Sequence, residues 1–337
     1  MAALSAVRGA TTAIFAAALC VVLILVLRPA LQRHALAKPN ARSSHREPTP
    51  QGGGVAVIVA TVAAAGLGLL GLGPPLAPPP AIVAAAVVLI ACVGAIDDIG
   101  SMAVVPRLIL QALAVAATIY ALPDQLRLLP GLPWWIERGG LFVAGLWFVN
   151  LVNFMDGIDW MTVAEVLPIT ATLVLVGCLG LFPPDGVVVA LALGGAIVGF
   201  AYFNRPVAKL FLGDVGSLPI GLLLGWLLVR LAGASNLAAA VLPPLYYFGD
   251  ATVTLLRRLL RGEPFWQAHR THFYQLATTR GFSVTDVVAR VFVVNICLCA
   301  LAVMTIMLPG TLSAVGGLAA GIALVAGLLA AFARGRK

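Results

Sequence analysis

Two pairs of polar residues close an otherwise apolar run at Asn150-Leu-Val-Asn-Phe-Met-Asp-Gly-Ile-Asp-Trp-Met161: the amides Asn150 and Asn153, then the acids Asp156 and Asp159. Each pair is three residues apart, so on a helix its members share a face. Gly157 between the acids marks a turn or a helix end. Capping by Asn and Asp accounts for one acid but not for four polar residues at this spacing. Two acids and two amides at the rim of a greasy segment call for a partner.

Four further stretches carry polar residues that apolar packing does not need. Asp97-Asp98 ends the run Ala-Cys-Val-Gly-Ala-Ile, and one such acid in the core of a bilayer costs roughly 2.5–3.5 kcal/mol even on insertion scales. Asp214 lies between Gly213 and Gly216, with Ser217 beside it and Asn204, Arg205, Lys209 and Phe211 just before. An acid there serves as a helix cap, or the glycines let a metal or phosphate approach the backbone. Lys38–Gly54 is basic and rich in hydroxyls, and ends in Gly52-Gly53-Gly54. It reads as a flexible basic loop or as a helix start whose amides hold phosphate. Arg257–Gln275 carries His269, Arg270, His272 and Tyr274, with Asp250 shortly before it. No HExxH accompanies the histidines, so zinc is disfavoured, and basic groups beside imidazoles suit a pyrophosphate. If Asp97, Asp98, Asp156, Asp159 and Asp214 meet, their mutual repulsion at reduced dielectric is large. A divalent cation relieves it, and oxygen ligands favour Mg²⁺, with Mn²⁺ as the substitute.

The elements that must position these residues are membrane spans. Of 337 residues 61% are hydrophobic and 10% charged, against about 45–50% apolar in a soluble domain. A span needs about 20 apolar residues. Candidates fall at 8–30, 54–73, 80–96, 104–122, 139–153, 162–182, 186–202, 216–232, 236–256, 287–308 and 311–333. The expectation is therefore an all-α polytopic membrane protein of about 11 transmembrane helices, one integral membrane domain over 1–337. The first run reads as a retained span rather than a cleaved signal. Loops at about 31–53, 97–103, 154–161, 203–215 and 257–286 then share one side. With the carboxyl tail, that side takes 17 of the 21 Lys and Arg residues, leaving Arg8, Arg127, Arg138 and Arg230 for the other. The positive-inside rule makes the first side cytoplasmic, with the amino terminus outside and the carboxyl terminus inside. The net charge of +8 is thus explained by topology, with no nucleic-acid partner required. Cys20, Cys92, Cys178, Cys297 and Cys299 lie inside apolar runs and read as small buried hydrophobes. Trp134-Trp135 reads as an interfacial anchor, and Gly221 and Gly225 as a packing motif.

In this order the pieces PNARSSHREPTPQGGG, DDIG, NLVNFMDGIDWM, FLGDVGS and RRLLRGEPFWQAHRTHFYQ resemble the polyprenyl-phosphate N-acetylhexosamine-1-phosphate transferases, the WecA/MraY-like members of glycosyltransferase family 4. The resemblance covers about Lys38 to Gln275. It implies an enzyme that moves a HexNAc-1-phosphate from a UDP-sugar to undecaprenyl phosphate, releases UMP and starts a lipid-linked surface polysaccharide such as an O-antigen. It further implies a metal role for Asp214 and Asp156 and a catalytic set of Asp97, Asp98, Asp156 and Asp159. Arg46, Asn153, Gly157, Phe211, Arg270 and His272 would contact substrate, Gly157 and Phe211 near the uracil. The setting would be the cytoplasmic face of a bacterial inner membrane, and a homodimer is compatible with it. Direct attack by the lipid phosphate is the favoured route beside an aspartyl-phosphate intermediate.

The chain departs from the pattern in three places. His272-Phe-Tyr-Gln275 replaces a His-x-His-His run, which argues against a muramyl-pentapeptide substrate and for the subgroup that initiates surface polysaccharides. Ser101 stands where many relatives have a third acid, and Trp160 where they have glycine. Both bear on the sugar, for which GlcNAc and 6-deoxy relatives such as QuiNAc or FucNAc are the candidates. The competing classes are a secondary transporter, which wants its acids near the midplane in paired broken helices, and a Mg²⁺-dependent prenyltransferase, which gives HRTHFYQ no role.

Overall fold

A chain in lipid has to satisfy its backbone hydrogen bonds internally, and a helix does so within one segment. The computed structural model describes residues 2–37, 48–70, 78–100, 102–263 and 269–336, and it is helical nearly throughout. In chain order it runs α1 (Ala2–His34), a two-residue hairpin of β1 (Leu36–Ala37) and β2 (Thr49–Pro50), α2 (Gly53–Leu70), α3 (Pro78–Gly100) and α4 (Val104–Tyr120). Then come α5 (Trp134–Met155), α6 (Met161–Cys178), α7 (Pro184–Ala201), α8 (Asp214–Ala234), α9 (Leu237–Val241) and α10 (Leu245–Leu260). The chain closes with α11 (Phe273–Thr279), α12 (Val284–Met307) and α13 (Thr311–Arg334).

Among the described residues nine helices are long and apolar enough to cross a membrane, and α4 is a shorter apolar helix. The all-α polytopic expectation holds. Ten of the eleven candidate spans are single helices, but 236–256 is not. It breaks into α9 and α10 at Pro243-Pro244, because proline has no N–H to continue the ladder and clashes with the preceding turn. The two pieces still lead from one end of the bundle to the other. Asn236, before α9, donates to the Thr305 carbonyl near the end of α12, while Asp250 in α10 holds the start of α11 at the opposite end.

α8 is the central post. It is apolar all round and buried along most of its length, as a helix with no polar face must be. Small residues let its neighbours approach. A Cβ on Gly54 of α2 would strike the Gly216 backbone, and one on Gly94 of α3 would strike the Asp214 carbonyl. Gly221 and Gly225 press against Val149 and Phe148 of α5, so that pair does pack helices as read. The first turn of α8 is therefore clasped between α2 and α3.

Two expectations need correction. Cys20 and Cys299 are buried, but Cys92, Cys178 and Cys297 are exposed; a lipid-facing surface is as apolar as the interior, so an apolar run does not distinguish the two. The Gly53 and Gly54 amides are not open to phosphate, because they donate to the Phe211 and Leu212 carbonyls at 2.9 and 2.8 Å. The Phe211 N–H in turn donates to the Pro50 carbonyl at 2.8 Å.

Candidate active site

The ends of α3 and α5 and the start of α8 meet at one end of the bundle. The first amides of a helix lack intrahelical partners, and at α8 they find theirs on α3. Asp98 accepts from the Asp214 and Val215 N–H groups at 2.9 and 3.1 Å. Gln51 secures Asp98 from the hairpin, its Nε2 donating to Oδ1 at 3.2 Å and to the Asp98 carbonyl at 3.0 Å. Gly213, with φ of 77°, makes the turn into α8 and leaves no room for a side chain against Asp98. Both Asp98 oxygens are thus spent on placing Asp214.

Asp97 accepts from the Met102 N–H at 2.6 Å and from Arg107 Nη1 at 2.6 Å. The same Arg107 nitrogen stands 3.8 Å from Asp214 Oδ2. Arg107 therefore spans two carboxylates; on sequence it had counted only as a topological charge. Its signal was present in the sequence: a cation in the first turn of the helix that follows an acid pair. From α5, Asn153 Nδ2 donates to Asp214 Oδ1 at 2.7 Å and to Ser217 Oγ at 2.9 Å. Asn150, one turn earlier, is directed to Gln111 of α4 at 2.8 Å, so it braces helices rather than joining the acids.

Asp156 ends α5 with φ of −84° and ψ of 48°. Its Oδ1 takes the Thr162 hydroxyl proton, the hydrogen bond that engages it among the described residues. Burial pushes its carboxyl up to about 8, the carboxylates of Asp214, Asp98 and Asp159 push the same way, and Thr162 opposes them. Asp159 is buried and accepts the Ala208 N–H at 2.9 Å. Trp160, at φ of 62°, donates its N–H to Asn204 Oδ1 at 2.8 Å and its indole N–H to the Ala201 carbonyl at 2.7 Å. The turn 156–160 is thereby tied to the loop 202–213, and two bonds hold a bulky residue in a conformation glycine adopts more readily.

The fifth stretch reaches the site through α11. Asp250, fully buried in α10, accepts from the Phe273 and Tyr274 N–H groups at 2.9 and 3.0 Å and from the Tyr246 hydroxyl at 3.0 Å. His272 Nδ1 lies 3.2 Å from Asp250 Oδ1, and its ring stacks between His269 and Tyr274 at centroid distances of 4.9 and 5.7 Å. Burial, then the neighbouring His272 and Arg258, lower His269 to about 4, so it is neutral at pH 7. Tyr274 donates to the Phe154 carbonyl at 3.0 Å, and its hydroxyl fills the space where a Cβ on Gly157 would sit. Arg270 is half-buried near Tyr274. Phe211 lies against Gln51 on the hairpin side. Arg46 and Ser101 fall outside the described residues.

The structure thus brings together Asp97, Asp98, Asn153, Asp156 and Asp214, with Gly157 and His272 alongside, and gives Asp159 to the neighbouring loop. Among the described residues no three His, Cys, Asp or Glu side chains form a metal cage of their own. A Mg²⁺ ion, which keeps waters and takes one or two carboxylates plus substrate phosphates, needs no such cage. Asp98 and Asp97 spend their oxygens on amides and Arg107, so Asp214 and Asp156 are the carboxylates with capacity to spare. Such a group of acids with Arg107 between Asp97 and Asp214 can hold a metal-bound polyphosphate.

Residues 80–232 match the model of glycosyl transferase family 4. That stretch carries the α3, α5 and α8 components of the site. Among curated proteins, the phospho-N-acetylmuramoyl-pentapeptide-transferase of Mycobacterium avium (strain 104) is 30% identical over 178 residues, covering 46% of this chain and 47% of the relative. The similarly named protein of Mycobacterium leprae (strain TN) is 30% identical over 179 residues with the same shares. The chain spans about half the length of the curated relatives it matches.

Proposed function

From the match of residues 80–232 to the model of glycosyl transferase family 4, we propose that the protein transfers a HexNAc-1-phosphate from a UDP-sugar to a polyprenyl phosphate, undecaprenyl phosphate in a bacterium, and releases UMP. The observation that carries the reading is the joining of three acid-bearing helix ends, through Asp98, Arg107 and Asn153, around Asp214.

An oxygen of the lipid phosphate attacks the phosphorus that bears the sugar. The bond from that phosphorus to the bridging oxygen breaks, and the bridging oxygen leaves on UMP. Such transfer needs positioning and charge neutralisation more than covalent help. Mg²⁺ held by Asp214 and Asp156 would supply charge neutralisation on the diphosphate. Arg107 would add positive charge at the transferring and leaving groups, and Arg46, Arg270 and His272 would contact their phosphates. Asp97 positions the acceptor phosphate through Arg107, and Asn153 fixes the Asp214 carboxylate. The acids lie at helix ends on one side of the bundle, which disfavours a midplane ion site. The distribution of Lys and Arg supports a cytoplasmic setting for that side.

The relatives are named for a muramoyl-pentapeptide donor, whereas the HRTHFYQ stretch favours a simple HexNAc, GlcNAc or a 6-deoxy relative, and a surface polysaccharide such as O-antigen as the product. Tyr274 and Gln275, which depart from the histidine run, pack directly on Gly157. Purified protein given undecaprenyl phosphate, Mg²⁺ and each of UDP-GlcNAc, a UDP-6-deoxy-HexNAc and UDP-MurNAc-pentapeptide should release UMP with one of the first two. The lipid product read by mass identifies the sugar. Release only with the pentapeptide donor overturns the sugar assignment, and release with none overturns the reaction.

A further inference from the structure

Tyr274 of α11 is fully buried, and the reaction above gives its phenol no contact with substrate. Hydrogen bonds fix both ends of this side chain. At the backbone, the Tyr274 N–H donates to Asp250 Oδ2 at 3.0 Å, and the same oxygen takes the Tyr246 hydroxyl proton at 3.0 Å. At the far end, the hydroxyl donates to the Phe154 carbonyl at 3.0 Å. Phe154 is the last residue but one of α5, and the last four carbonyls of a helix have no intrahelical partner. The hydroxyl oxygen also occupies the place of a Cβ on Gly157, and the ring carbon that bears it lies 3.1 Å from that point. Gly157 is not among the residues with positive φ, so glycine stands there for space rather than for backbone conformation. One oxygen thus meets the chain two residues before Asp156 and one residue after it.

We propose that Tyr274 is a positioning residue for Asp156: its hydroxyl pins the end of α5 on both sides of that acid and so sets the direction of the carboxylate. Asp156 is where α5 stops, at φ of −84° and ψ of 48°. Its N–H reaches the Asn153 carbonyl at 3.2 Å, and Thr162 holds its side chain. Helix ends fray, and an acid at such an end points reliably only if something rigid holds the backbone beneath it. Tyr274 has that rigidity. Its ring is sealed in the interior and stacks on His272 at 5.7 Å, and its own N–H is tied to Asp250. A site side chain is held to its working geometry by neighbours whose own rotamers are locked by packing and hydrogen bonds. The tyrosine of HFYQ therefore serves the metal site from behind, through Asp156.

This inference rests on the proposed Mg²⁺-dependent transfer. The alternative is that Tyr274 only caps α5 and fills the interior. Tyr274→Phe removes the hydroxyl and keeps the ring. Thr305→Val is the matched comparison, because Thr305 is buried and its hydroxyl donates to the Ala302 carbonyl at 2.8 Å near the end of α12, at the opposite end of the bundle. The measurements are the Mg²⁺ concentration that half-saturates thermal stabilisation of the purified protein, kcat for UMP release at saturating Mg²⁺, and KM for undecaprenyl phosphate. Tyr274→Phe should raise the first and lower the second by about three- to tenfold each, the scale of one lost buried hydrogen bond. KM for the lipid should not move, since Asp97 and Arg107 place the acceptor from α3 and α4. Thr305→Val should lower the metal-free melting temperature about as much as Tyr274→Phe and leave the other readouts at wild type. If Tyr274→Phe does not fold, Gly157→Ala decides, because its methyl group pushes against the same hydroxyl and should raise the Mg²⁺ requirement likewise. A wild-type Mg²⁺ requirement and kcat in the deciding variant, or the same changes in Thr305→Val, overturns the positioning role and leaves the reaction standing. Absence of Mg²⁺ stabilisation and UMP release in wild type removes the reaction itself.

Discussion

Asp156 and Asp98 show why carboxylates in one pocket are not interchangeable. Asp98 caps α8 with both oxygens, so its work is to place Asp214. Asp156 has one such bond, and burial holds its carboxyl up at about 8. The sign of the consequence follows. In the unfolded chain the acid ionises near pH 4, while in the folded chain it keeps its proton to about pH 8. Between those values the unfolded state binds fewer protons, so stability is highest below pH 4 and falls as pH rises through the window. With a chelator present, the melting temperature of wild type should fall between pH 5 and pH 8, and Asp156→Asn should flatten that slope. Mg²⁺ at pH 8 should restore the loss in wild type and not in the variant. An equal slope in both proteins would remove Asp156 as its source. The acids themselves were legible in the sequence, because charge at the rim of an apolar run has few structural uses. Their division of labour was not, since Asp98 and its α8 partners are more than a hundred residues apart.

At the level of elements, the site depends on how closely α8 can enter between α2 and α3. Gly94 faces the Asp214 carbonyl with no room for a Cβ, whereas Gly316 in α13 has open space around it. Gly94→Ala should therefore force the start of α8 away and cost about 1–3 kcal/mol, the range for overpacking a filled interior. Gly316→Ala should be neutral or stabilising by about 0.5–1 kcal/mol through helix propensity. Denaturation of both purified variants checks this, and a Gly94→Ala protein as stable and active as wild type would mean the clasp does not set Asp214. The sequence announced the glycines as GxxxG and GGG, yet assigned the triplet to phosphate. What it lacked was the partner: residues 211–212 satisfy those amides from far along the chain. Pro243-Pro244 was equally visible, but it lay hidden in a run whose average hydropathy read as one span.

For the molecule as a whole, the helical fold was the most legible feature, because lipid leaves an apolar chain few other choices. The alternation of helices also puts the acid-bearing stretches at one end, where Asp97 contacts Arg107 and Asp214 contacts Asp98 and Asn153. Beyond reach was everything set by rotation of one helix against another: Arg107 turned between Asp97 and Asp214, Asn150 turned toward Gln111, and the buried pair of Glu165 and Asn295. Hydropathy fixes where a helix lies and says little about its azimuth. The most direct test of the central claim, that this end of the bundle holds a metal-bound nucleotide diphosphate beside a lipid phosphate, is Asp214→Asn. The purified variant should lose both Mg²⁺-induced thermal stabilisation and UMP release while remaining folded. Wild-type stabilisation by Mg²⁺ together with wild-type UMP release in that variant would contradict it.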